Sequence, residues 1–148
     1  MSDFGELCPL FNTGVFNEIT FPAVDMNHIT LSGNALYGSL ASSITMNGNF
    51  SFGRTVVVTA AFARRYSNAN SVWVTLWLKH LTSATAAGTA FGTISITPTL
   101  SIQDYYAWKP GVVTAKTFTS SEILGIAPSL GAAGSMGQYD FIIRYKEK

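Results

Sequence analysis

Two long runs of apolar and β-branched residues dominate the middle of the chain. Residues 54–66 and 71–81 are rich in Val, Thr and aromatic side chains, a composition that favours strands over helices. The stretch between them, residues 67–70, combines Ser, Asn and Ala, which is typical of a turn. The pattern therefore predicts one long hairpin, with shorter strands that pair with it or cover its faces.

The predicted hairpin has an aromatic face. If residues 67–70 form the loop, Arg64 lies opposite Trp73 and Ala60 lies opposite Trp77. Large aromatic side chains are usually buried, so core packing is the plainer interpretation. The alternative is a ligand platform in which Arg64 stacks on Trp73. With a second aromatic cluster further along the chain, the candidate interface or ligand-platform residues are Phe62, Arg64, Tyr66, Trp73, Trp77, Tyr105, Tyr106 and Trp108.

Shorter strands with regularly spaced turn signals flank the hairpin. Four of them are residues 14–21 (ended by Pro22), 91–97, 112–118 and 138–145. The sequence Thr119-Ser120-Ser121-Glu122 matches a capping box and predicts one helical turn. Together these patterns predict an all-β fold, an antiparallel β-sandwich or jelly-roll-like barrel with about eight to ten short strands and at most one helical turn.

The first 13 residues follow neither a strand nor a helix period. We expect residues 1–13 to form an extended N-terminal arm, and residues 14–148 to form a single β-domain. The arm either folds back on its own core or is donated to a neighbouring subunit, and both options remain open. Its candidate apolar anchors are Phe4, Leu7, Leu10 and Phe11.

Composition points to contacts between subunits. Charged residues make up 11% of the chain, against about 25% in typical domains. A monomer with so few charges would have a poorly solvated surface. We therefore expect a homo-oligomer, in which subunit contacts cover apolar area. The charges are also uneven, because residues 1–53 contain acidic but no basic residues and residues 54–103 contain basic but no acidic ones. We hypothesise that these two regions lie close together.

The chain carries no recognisable catalytic motif, so we expect a protein that is not an enzyme and binds no metal or cofactor. Its two histidines, His28 and His80, fall in different elements. The single cysteine, Cys8, excludes an internal disulfide and has no assigned role. Neither a membrane span nor a signal peptide is visible, and the basic residues are too few to indicate nucleic-acid binding.

Two classes of function fit these features. The first is a structural, self-associating β-domain, such as a capsid, decoration or tail component of a virion, or part of a filament. Its partners would be copies of itself and other structural proteins, in a virion or an extracellular assembly. The second is a carbohydrate-binding module that uses an aromatic platform.

Overall fold

The computed structural model of the protein describes residues 17–25, 44–45, 50–65, 74–83, 86, 88–96, 107–130 and 138–148. These residues form ten β-strands and no helix. The strands are β1 (Asn17–Asp25), β2 (Ile44–Thr45), β3 (Val56–Arg65), β4 (Val74–Leu81), β5 (Thr89–Ile96), β6 (Lys109–Pro110), β7 (Val112–Val113), β8 (Lys116–Phe118), β9 (Ile123–Leu130) and β10 (Gln138–Glu147).

The strands form two antiparallel five-stranded sheets. In sheet A the order is β1-β10-β3, and β3 then pairs with both β6 and β8. In sheet B the order is β2-β9-β4-β5-β7. Side chains from both sheets fill one core. On β10 these are alternate residues, as the sequence pattern predicted: Tyr139, Phe141, Ile143 and Tyr145. The fold is an antiparallel β-sandwich, and the predicted fold class is confirmed.

The predicted pairing of the central hairpin is wrong, although both of its strands exist. β3 pairs with β10, β6 and β8 in sheet A, whereas β4 pairs with β5 and β9 in sheet B. Ala60 therefore does not lie opposite Trp77. The strand pattern reflected burial instead, since Leu76, Leu78 and Leu81 of β4 are all buried. An apolar run therefore predicts a buried strand but does not identify its partner strand.

A row of aromatic rings runs through the core and joins the two sheets. Phe50 lies between Phe21 and Phe52, and the ring centroids are 5.0 Å apart in each pair. Phe52 then contacts Phe118 at 5.6 Å, and Phe118 contacts Phe91 at 5.5 Å. All four contacts are edge-to-face, the arrangement that ring quadrupoles favour. The row links β1 and β8 of sheet A to β5 of sheet B.

Residues 109–118, here called the crossing segment, close one side of the sandwich. β6 and β8 pair with β3 of sheet A, but β7 between them pairs with β5 of sheet B. Backbone hydrogen bonds fix both sides of this detour: Gly111 N–H donates to the Ala61 carbonyl, and Thr114 N–H donates to the Phe91 carbonyl, each at 2.8 Å. The predicted single strand at residues 112–118 is thus wrong, because this stretch visits both sheets.

Two glycines allow the crossing segment to lie close to β5. A Cβ at Gly111 would lie 2.8 Å from Ile94 Cγ1 and 3.0 Å from the Thr93 carbonyl oxygen. A Cβ at Gly92 would lie 2.9 Å from the Val112 carbonyl oxygen. These distances are shorter than van der Waals contact, so a larger residue at either position pushes the crossing segment away from β5.

The first strand is irregular where a proline interrupts it. The sequence predicted that Pro22 ends this strand, and this prediction is wrong. β1 continues to Asp25 with a shift in register between Phe21 and Val24. Ala23, inside the shift, has a positive φ of 50°. A β-bulge at this point accommodates a proline that has no amide hydrogen to donate.

The turn between β8 and β9 carries the chain from sheet A to sheet B. Glu122 N–H donates to the Thr119 carbonyl at 3.3 Å, and Glu122 Oε2 accepts the Thr119 N–H at 2.7 Å. Half of the capping-box pattern is thus present, but the predicted helical turn is wrong because β9 begins at Ile123. Glu122 Oε2 also lies 2.9 Å from His80 Nε2, without regular hydrogen-bond geometry.

We expect Gly111→Ala to lower the free energy of unfolding by about 1–3 kcal/mol, because its Cβ overpacks the space beside Ile94. Urea denaturation followed by circular dichroism measures the change. Ala115→Ser, which also adds one heavy atom but at an exposed position of the crossing segment, serves as the control. Equal stability of the Gly111→Ala and wild-type proteins would contradict the close approach.

We expect Glu122→Gln to destabilise the protein by about 1 kcal/mol at neutral pH. The His80 side chain and the Thr119 amide lower the pKa of Glu122 from its ordinary value of 4.5. Such a carboxylate stabilises the fold fully above that value, and the contribution is lost as pH falls through the lowered pKa. The stability gap to wild type should therefore shrink between about pH 5 and pH 3. A gap that is constant over this range would show that the charge of Glu122 has no role.

Candidate functional site

The structure places the described members of the predicted platform on different sheets. Phe62 and Arg64 lie on the outer face of β3 in sheet A, and Trp108 directly precedes β6. Trp77 lies on β4 in sheet B. The platform as a single aromatic face is therefore wrong. The remaining candidates fall outside the described residues: Tyr66, Trp73, Tyr105 and Tyr106, together with the arm anchors Phe4, Leu7, Leu10 and Phe11.

On sheet A, Arg64 links three parts of the fold. Its guanidinium lies over the Trp108 ring, 4.6 Å from the centroid, whereas the predicted partner Trp73 lies outside the described residues. Its Nε donates to Asp140 Oδ2 at 2.9 Å, and Asp140 Oδ1 accepts the Ala23 N–H of the β1 bulge at 2.8 Å. Asp140 is 5% exposed. These contacts join β1, β10, β3 and the residue before β6, so Arg64 and Trp108 have a structural role here.

A second arginine on the same face makes an equivalent set of contacts. Arg144 Nε donates to Glu18 Oε1 at 2.6 Å, and its guanidinium lies over Phe62, 4.7 Å from the ring centroid. The acidic N-terminal region thus meets the C-terminal strand at this ion pair, while the central Arg64 meets Asp140. We had hypothesised that the acidic residues 1–53 lie close to the basic residues 54–103. In these two ion pairs each region instead meets a residue of β10.

Charged residues are segregated between the two sheets. The only charged residue in the strands of sheet B is Lys79, which is 4% exposed and whose pKa is lowered by burial. The strands of sheet A carry all the others: Glu18, Asp25, Arg64, Arg65, Lys109, Lys116, Asp140, Arg144, Lys146 and Glu147. In the described part of the chain, the outer face of sheet B therefore exposes no charge from its own strands.

An open groove of about 500 Å³ lies between β5 and the crossing segment, beside Trp77. Cross-strand pairing aligns Trp77 with Thr93, and Thr93 with Val112, across the outer face of sheet B. Val112 is 80% exposed and is the one large apolar side chain that is exposed within the described ranges. The groove is lined by Trp77, Thr89, Ala90, Phe91, Gly92, Thr93, Val112, Thr114, Ala115 and Lys116.

Trp77 offers carbon surface to this groove. Its Nε1 is buried and has no hydrogen-bond acceptor among the described residues. The exposed part of the half-buried side chain is therefore apolar, and the threonines of the lining supply hydroxyl groups that both donate and accept. An aromatic surface next to hydroxyls suits a ligand with an apolar face and a polar edge.

Sequence reasoning identified Trp77 but missed the other residues of the groove. Val112 and Lys116 were assigned to one continuous strand, and Thr93 to another, so nothing brought them together. One signal was available, since Lys79 is the single charged residue between residues 71 and 103. A stretch that long with one charge indicates strands whose outer face is apolar.

Among the described residues, no group of three or more His, Cys, Asp or Glu side chains could hold a metal ion. The same residues contain no helix that is long and apolar enough to cross a membrane.

Comparison with known proteins shows weak structural similarity and no family or curated match. No protein-family model matches the chain, and no curated protein matches it. Among solved structures, the chain is similar to the Eiger TNF from S. frugiperda, with a TM-score of 0.36 and 8% sequence identity, over 93% of this chain and 89% of that one. The β-sandwich assignment rests on the two sheets themselves.

We expect Asp140→Ala to lower the free energy of unfolding by about 1–3 kcal/mol, because it removes the acceptor of two hydrogen bonds from a nearly buried position. Asp140→Asn retains an acceptor for the Ala23 amide and should cost less. Arg64→Gln, made in the wild type and in Asp140→Ala, completes a double-mutant cycle that isolates the contribution of the ion pair. Additive effects of the two substitutions would show that the pair contributes nothing.

Proposed function

We propose that the protein is a non-enzymatic structural component that associates with copies of itself through the outer face of sheet B. The observation that carries this proposal is the segregation of charge between the sheets. On sheet A, Arg64 and Arg144 each pair with a carboxylate of the same chain. The strands of sheet B around Thr93 and Val112 expose no charge of their own, so Lys116 of β8 is the one charged residue of the groove lining that a second copy would desolvate.

The edge of sheet A gives a reason why the contact would be a face and not an added strand. β1 is the edge strand there, and Pro22 in its middle has no amide hydrogen. The next amide, that of Ala23, already donates to Asp140. A proline, a bulge and an occupied amide together make this edge a poor template for another strand.

Within this proposal, the assemblies that fit best are a virion shell, its decoration or tail, or an extracellular filament. These structures repeat one domain many times, and each copy gains from an uncharged contact face. The support is the low charge content of the whole chain, 11%, together with the exposed Val112 on that face.

Carbohydrate binding is a second candidate function. The observation that favours it is the groove beside Trp77, where an indole and threonine hydroxyls line a volume of about 500 Å³. Ligand sites in proteins typically enclose about 300–1,000 Å³. In this function the protein would act as a monomer, with sheet B open to solvent.

Light scattering coupled to size-exclusion chromatography tests the first proposal. We expect the wild-type protein to form a multimer and Val112→Asp to reduce its mass to that of a monomer, because each contact would then bury carboxylates. Thr20→Asp introduces the same charge at an exposed position of sheet A and should leave the multimer intact. A monomeric wild type would overturn self-association, and a multimer insensitive to Val112→Asp would overturn this face as the contact.

A further inference from the structure

The groove beside Trp77 carries a charge that limits the class of ligand it would bind. The inference drawn from this charge rests on the second candidate function. The groove lies where strands of both sheets meet, so its lining mixes the uncharged surface of sheet B with Lys116 from β8 of sheet A. Lys116 is the one charged residue among the residues that line it, and none of them is Asp or Glu. The lining therefore carries a positive charge, which favours an anionic group on the ligand.

The aromatic part of the groove determines where a ring would lie. A pyranose presents C–H groups on one face, and that face packs on the carbon surface of an aromatic side chain. Trp77 meets this requirement because its polar Nε1 is buried and only carbon is exposed. The indole thus provides a surface for stacking and no competing donor to the solvent side.

The hydroxyl groups determine which ring edge is recognised. Thr93 is the cross-strand neighbour of Trp77, so its side chain stands directly beside the indole on the same face. Thr114 lies across the groove, where its own backbone N–H is held by the Phe91 carbonyl. Hydroxyls on two sides of an aromatic surface can donate to and accept from sugar hydroxyls.

We infer that the groove binds a pyranose that carries a carboxylate, a uronic acid. Its C–H face packs on Trp77, its hydroxyls bond to Thr93 and Thr114, and its carboxylate lies at Lys116. The carboxylate adds a charge-assisted contact that a neutral sugar lacks. Because the groove is open to solvent, this contact is partly screened and its contribution falls as salt is added.

Titration calorimetry with two disaccharides tests the inference. Cellobiose and cellobiouronic acid differ by one carboxylate. At low salt we expect the acid to bind about two- to fivefold more tightly, which is the range of an exposed ion pair. Lys116→Gln should remove this difference, whereas Lys146→Gln, an exposed lysine of β10 away from the groove, should leave it unchanged. Thr93→Val, which keeps the side-chain shape, should weaken both sugars.

The possible failures are distinguishable. Equal binding of both sugars, or a preference that survives Lys116→Gln, would overturn the uronic-acid inference while leaving carbohydrate binding in place. If neither sugar binds, both the uronic-acid inference and carbohydrate binding are overturned. Because self-association would cover the same face, the titrations are run at a concentration at which light scattering shows a monomer. Trp77→Phe, checked for folding by circular dichroism, should retain weaker binding, and full affinity in this variant would place the sugar elsewhere.

Discussion

The close approach of the crossing segment to both sheets around Gly111 is the constraint on which the rest of the sandwich depends. Gly111 leaves no space for a Cβ, because its backbone donates to Ala61 of sheet A while it lies against Thr93 and Ile94 of sheet B, and Gly92 leaves none because β7 lies against β5 there. A backbone that pairs alternately with β3 and β5 closes one side of the core without a separate strand. The groove beside Trp77 exists because the crossing segment leaves sheet B again after β7.

The two outer faces of the sandwich differ in how their polar groups are satisfied. On sheet A, cations, carboxylates and aromatic rings are paired within the chain, and Asp140 holds both Arg64 and the β1 bulge. A partner that covered these ion pairs would have to desolvate their charges. On sheet B the exposed surface around Thr93 and Val112 has hydroxyl groups but no charge from its own strands. The difference explains why the aromatic residues of sheet A stabilise the fold, while those of sheet B remain candidates for recognition.

Alternation of apolar residues was sufficient to predict the fold class and most strands, because burial acts on each strand separately. It could not identify partners: β3 and β4 are neighbours in sequence and both are rich in apolar residues, yet they lie in different layers. The crossing segment was missed for a related reason. Val112, Val113 and Phe118 suit one strand, and only the space around Gly111 decides that the chain changes sheets. At Glu122 half of the capping-box pattern forms, but pairing of the next residues in sheet B outweighs the local preference for a helical turn.

Of the candidate site, the sequence predicted one residue, Trp77, but not the residues that surround it. Trp77 stood out because it is large and lies in an apolar strand, but its neighbours across the groove come from distant parts of the chain. The same is true of sheet A, where β10 lies between β1 and β3. A ribosome must therefore have made residues 138–147 before Asn17–Asp25 can find its place. Sheet B, whose β4 and β5 adjoin in sequence, can begin to form earlier, and the unfinished edge of β3 is then the surface that a nascent chain has to keep from aggregating.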